Sequence, residues 1–160
     1  MKFEIATTKP INTPSATPVL TREQVFAGLK IRARDPVKYI PAITSCKIVK
    51  EDEAGLTRVI TCKPGTGPPG EVTEVVTYTK NVKVDFLMPK SGIAVSSIIS
   101  IGEDETDLYL TFTFTWNFPN IVEGTEEAAA KVKALTQVVK TIVSHTIEQL
   151  REMAKDGTVA

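Results

Sequence analysis

The chain has 160 residues, 42% of them apolar and 24% charged, with nineteen basic side chains balancing nineteen acidic ones. That length predicts one domain over residues 1–160, large enough to bury a core without covalent staples. Zero net charge speaks against a nucleic-acid partner and against electrostatic docking to an anionic membrane.

Phe3–Thr8 reads as a first short strand. It lacks, together with Met1 and Lys2, the unbroken apolar core of a secretory signal, so a cytoplasmic location is expected. Lys9–Pro18 carries three prolines and small polar residues and reads as irregular. Thr21-Arg22-Glu23-Gln24 fits a capping box, with Thr21 as N-cap and Gln24 at the third position. The helix that follows shows Val25, Phe26, Leu29 and Ile31 and stops at Asp35-Pro36. A second short helix is expected over Val37–Ile40.

Strands then run to residue 118. Ile43–Glu51 and Leu56–Cys62 flank the turn Asp52–Gly55. Val72–Thr79 and Val82–Leu87 flank Lys80-Asn81, and Ile93–Ile101 and Asp107–Phe118 flank an acidic loop. Such short connections predict antiparallel hairpins. The last strand is the clearest: Leu108, Leu110, Phe112, Phe114, Trp116 and Phe118 alternate with polar residues and Tyr109, giving one apolar face. Thr125 then caps a helix running to Lys155, with the stripe Val132, Leu135, Val139, Ile142, Val143, Thr146 and Leu150 at period 3.6. At 1.5 Å per residue this helix is about 46 Å long. A compact chain of this size has a radius of gyration of only about 15 Å. The helix must therefore cross the whole molecule along the apolar face of the sheet. No apolar run approaches the eighteen residues of a transmembrane helix, so no membrane insertion is expected. Strands bunched together with helices at the ends predict an α+β helix-grip architecture of about seven antiparallel strands curved around a long C-terminal helix.

Alternation assigns faces. Leu56, Ile60 and Cys62 share a face with one charge, Arg58; Val72, Val76 and Tyr78 share a face with one charge, Glu74. A buried charge costs several kcal/mol unless it is paired. The two should therefore meet each other, or meet polar ligand atoms. As a functional pair, Glu74 would be an acid/base and Arg58 would orient it or bind a ligand oxygen. The alternative is an ion pair at a sheet rim. A three-residue turn would set Tyr78 opposite Val82 and Glu74 opposite Phe86. A hairpin centred on Ala54 would set Cys46 opposite Cys62. Two cysteines are too few for a disulfide framework, and reduced thiols are expected.

Tyr78 could offer its hydroxyl to a ligand, and Ser97 shares the Ile93, Val95, Ile99 face. Trp116 could stack on a flat ligand near a pocket mouth. Phe86, Phe112 and Phe114 from the sheet, with Val139, Ile142 and Val143 from the helix, would supply apolar walls. His145, the only histidine, lies on the flank of the helix stripe and cannot alone build a metal cluster. Zinc, nucleophile-elbow and phosphate-loop motifs are absent, and Gly65–Gly70 lacks the Lys-Ser/Thr of a P-loop. Neither a metal nor a cofactor is expected.

The element order, the strand Leu108–Phe118 and the long terminal helix resemble the START/polyketide-cyclase-like superfamily. More narrowly, Val19–Phe26, Val72–Phe86 with its Glu74, and Asp107–Trp116 resemble a small family of fungal and bacterial proteins related to a protein of the acetylaranotin biosynthetic cluster. The resemblance implies a single START-like domain that binds a hydrophobic small molecule. It implies a cofactor-independent cyclase, isomerase or dehydratase acting on a secondary-metabolite intermediate; the rivals are a non-catalytic carrier and an interaction module. Such a protein would be a monomer or homodimer.

Overall fold

The computed structural model describes residues Met1–Ala160. Its strands are β1 (Lys2–Pro10), β2 (Ile43–Asp52), β3 (Gly55–Cys62), β4 (Glu71–Thr79), β5 (Lys83–Met88), β6 (Ile93–Ile101) and β7 (Leu108–Asn117). The helices are α1 (Arg22–Arg34), α2 (Pro36–Tyr39) and α3 (Glu126–Lys155). The strands form one sheet in the order β1-β7-β6-β5-β4-β3-β2, antiparallel at every pairing. β1 and β2 are thus opposite edges, and the connection between them carries α1 and α2 across the inner face. This is the helix-grip fold expected from the element order.

Local signals account for the helix ends. The Thr21 hydroxyl accepts from the Gln24 amide while the Gln24 side chain accepts from the Thr21 amide, closing the capping box. Thr125 accepts from the Ala128 amide at the start of α3. The loop between β1 and α1 is held by Asn12, which donates to the Leu20 carbonyl and accepts from the Leu20 amide. Arg151 of α3 donates to the carbonyls of Ile11 and Pro18 and ties that loop to the helix. α1 approaches α3 closely because residue 28 is glycine: a Cβ there would lie 2.3 Å from Leu150 Cδ2.

Two hairpin registers differ from the simple reading. The β4–β5 turn does have three residues, but it is centred on Asn81, which adopts a positive φ of 57°. Tyr78 therefore faces Val84, Val76 faces Phe86, and Val82 is an exposed turn residue. A shift of two positions keeps each strand's faces unchanged. In the β2–β3 hairpin, irregularities between Ile43 and Ser45 and between Ile48 and Lys50 put extra residues into β2. The hairpin also closes at Asp52–Gly55, half a residue short of a turn centred on Ala54, so Cys46 faces Ile60 and Cys62 faces Ile43.

The core joins the inner faces of β3 to β7 to α1 and the C-terminal half of α3. Along α3, Val139, Val143, Thr146, Leu150 and Met153 are buried, but before Val139 only Ala128 is. Val132 and Leu135, on the same stripe, are half-buried. One end of the grip is therefore closed and the other is open. No helix is long and apolar enough to cross a membrane.

Candidate functional site

Arg58 and Glu74 face each other across β3 and β4, 1% and 5% exposed. Arg58 Nε donates to Glu74 Oε2 at 2.7 Å, and a second guanidinium nitrogen reaches the same oxygen at 2.5 Å. The third nitrogen donates to the Ala33 carbonyl at the end of α1. The guanidinium carbon lies 5.4 Å from the centre of the Phe86 ring. The lone charges read from alternation thus form an ion pair on the inner face. Both nitrogens aimed at Glu74 converge on Oε2, so its other oxygen is not claimed by Arg58.

The strand registers place this pair. Arg58–Glu74 pairing, extended by one residue through β4–β5 and β6–β7, continues through Met88 and Ile93 to Trp116 and Phe3. Glu74 and Trp116 therefore share a row at the open end. Met88, Ile93 and Trp116 on that row are half-buried, as are Phe86 and Val95 on the next. Val132, Leu135 and Ile142 of α3 are likewise half-buried. These half-covered apolar side chains are the lips of the open end.

Trp116 stacks on Phe114 with ring centres 5.0 Å apart and on Phe3 at 5.8 Å, both nearly parallel. Phe112 continues the ladder beyond Phe114 at 5.8 Å. Phe112, Phe114, Val139 and Val143 are buried core residues, deeper than Trp116, Phe86 and Ile142. Two surface depressions, about 310 Å³ beside Asn12 and Thr106 and about 180 Å³ near the β2–β3 turn, include none of the candidate residues.

Toward the closed end, Tyr78, Val84, Ser97 and Phe112 form another row. The hydroxyls of Tyr78 and Ser97 are buried and have no hydrogen-bond partner. Such groups ordinarily find one. The Tyr78 ring packs edge-on against Phe26 of α1, and burial pushes its phenol above the ordinary range. The thiols of Cys46 and Cys62 are both free, and burial likewise raises them. His145 is half-exposed, 3.8 Å from Glu148.

One buried charge escaped the strand-based reading. Arg32 on α1 is 7% exposed and has no carboxylate partner; its Nε donates to Gln149 Oε1 at 2.8 Å. Burial, reinforced by the positive charge of Arg58, holds its guanidinium down to about 10. The signal was present: Val25, Leu29 and Arg32 recur at helical spacing on one stripe.

Residues 5–157 match the family described as acetylaranotin biosynthesis cluster protein L. No curated protein sequence matches the chain. Among solved structures, the di-domain ARO/CYC StfQ from the steffimycin biosynthetic pathway superposes with a TM-score of 0.68 at 12% identity. That alignment covers 98% of this chain and 52% of StfQ, so the chain spans about half of the di-domain protein. The Zhui aromatase/cyclase from Streptomyces sp. R1128 gives a TM-score of 0.65 at 12% identity, covering 100% of this chain and 98% of that one. Ara h 8.0201 gives 0.55 at 14% identity, covering 94% and 97%. At these identities the structures speak for the fold. The family match covers nearly the whole sequence, and the chain belongs to the acetylaranotin biosynthesis cluster protein L family.

Proposed function

We propose that the protein is a cyclase, isomerase or dehydratase that acts on a hydrophobic secondary-metabolite intermediate between sheet and α3, without a cofactor. The observation that carries this reading is the Arg58–Glu74 pair on the inner apolar face, in the row that ends at the Trp116 lip. Membership in a family described by a biosynthetic cluster supports it, as does the likeness of fold to aromatase/cyclases.

In this reading Glu74 is the base. Its second oxygen takes a proton from a carbon next to a substrate carbonyl, and Arg58 holds the carboxylate in position. The resulting enolate attacks a second carbonyl of the same molecule or is reprotonated one position along. Glu74 returns the proton to the alkoxide or to the carbon, so no proton is gained or lost. The Tyr78 hydroxyl, four residues along β4 and about 13 Å away at strand rise, would hold a distant oxygen of an extended substrate. Phe86, Trp116, Phe112, Phe114, Ile142, Val139 and Val143 would supply the apolar walls, and Ser97 a further hydroxyl. Water exclusion and orientation supply the remainder of the catalysis.

Glu74→Gln separates this from a second reading. Glutamine keeps an acceptor for Arg58 but not its countercharge, so the variant loses stability and circular dichroism must first show it folded. A producing strain carrying Glu74→Gln should accumulate an unprocessed or shunt product, as a deletion strain does. A wild-type product profile in that strain would sink the enzymatic role. It would favour a carrier for hydrophobic molecules, a reading supported by the full engagement of the three Arg58 nitrogens within the chain.

A further inference from the structure

The charged residues buried in this molecule do not balance. They are Arg32, Arg58 and Glu74: two cations and one anion. Glu74 is engaged by Arg58, which also donates to the carbonyl of Ala33, the residue directly after Arg32. Arg32 is left with a neutral amide, Gln149 of α3, which itself donates to the Tyr39 carbonyl at 3.0 Å and meets His145 Nε2 at 3.0 Å. No salt bridge reaches Arg32, although its neighbour Arg34 pairs with Glu51 at 2.9 Å. Arg32 lies in the last turn of α1, where the helix dipole favours a cation. A dipole worth about half a charge does not neutralise a desolvated guanidinium. Buried charges are ordinarily paired, and here the chain itself supplies no anion to Arg32.

We propose that Arg32 is the anion-binding element of the ligand site, and that the ligand carries an acidic oxygen group, a carboxylate or equivalent oxyanion. The assignment rests on the function proposed above and gives that ligand a charge and an orientation. Arg32 lies where α1, α2 and α3 converge, within electrostatic reach of Arg58. The planar guanidinium still offers its terminal nitrogens in the fork that fits a carboxylate. The acidic end of the ligand would be held by Arg32, leaving its apolar body to run along the sheet past Glu74.

Two fluorescent probes of similar shape test this on the purified chain. 8-Anilinonaphthalene-1-sulfonate carries an oxyanion, and N-phenyl-1-naphthylamine is its uncharged parent. The wild type should bind the sulfonate more tightly than the parent. Arg32→Gln should weaken the sulfonate at least about tenfold, roughly 1.4 kcal/mol, and leave the parent unchanged. Arg32→Lys, which keeps the charge, should retain the preference and guards against a fold effect in the glutamine variant. Equal wild-type affinities, or parallel loss of both probes in Arg32→Gln, would overturn the anion site and leave the apolar space standing. Binding of neither probe to the wild type would overturn both.

Discussion

Arg58 is anchored on three sides, and its energetics follow from that. Removing it leaves the Glu74 carboxylate buried without a partner, which typically costs about 3–5 kcal/mol. Replacing both members by apolar residues removes the charge altogether and is often neutral. Urea unfolding should therefore show Arg58→Leu strongly destabilised and Arg58→Leu with Glu74→Leu recovering most of the loss. Equal destabilisation in the two variants would mean that the link from Arg58 to the Ala33 carbonyl, not the pair, carries the stability. This pair was legible in the sequence because a strand repeats every two residues, so one charge among Leu56, Ile60 and Cys62 stands out. Arg32 obeys the same logic on a helix. It was missed because the face of α1 is partly apolar, and an arginine near a helix C-terminus reads as an ordinary surface cation.

The elements themselves were mostly legible, since capping boxes, prolines and periodicity act locally. What the sequence hid was register. The irregularity between Ile48 and Lys50 carries no glycine or proline to mark it, yet together with the tighter turn at Asp52–Gly55 it sets Cys46 away from Cys62. In the β4–β5 hairpin the turn centre depends on Asn81 adopting a left-handed conformation, which asparagine tolerates better than most residues. Periodicity also hid a difference within α3. Its stripe is continuous in sequence, but its burial begins in earnest only at Val139. Leu150 is wholly buried against α1, so Leu150→Ala should cost about 2–5 kcal/mol. Leu135→Ala should cost well under half as much, because its side chain already meets solvent. Denaturant titration of the two variants checks this, and similar losses would show that the two halves of the helix are equally anchored.

At the scale of the molecule, one end is a conventional core and the other is a set of half-covered apolar residues. Arg151 and Gly28 hold α3 down at the closed end; the opposite lips meet solvent. The sheet must carry its open end on a framework paid for at the closed one. The ladder of Phe3, Trp116, Phe114 and Phe112 sits on that border, with the chain's only tryptophan inside it. Its consequence is optical. Near-parallel rings in a fixed, asymmetric setting couple their electronic transitions, and near-ultraviolet circular dichroism reports such fixed packing. The native protein should show a defined tryptophan band that Phe3→Leu weakens while the far-ultraviolet spectrum stays unchanged. An apolar ligand entering at the open end should perturb the same band. A featureless near-ultraviolet spectrum would mean that the ladder is not held rigid. If the proposed ligand enters past this ladder, Trp116 would read its occupancy without any label.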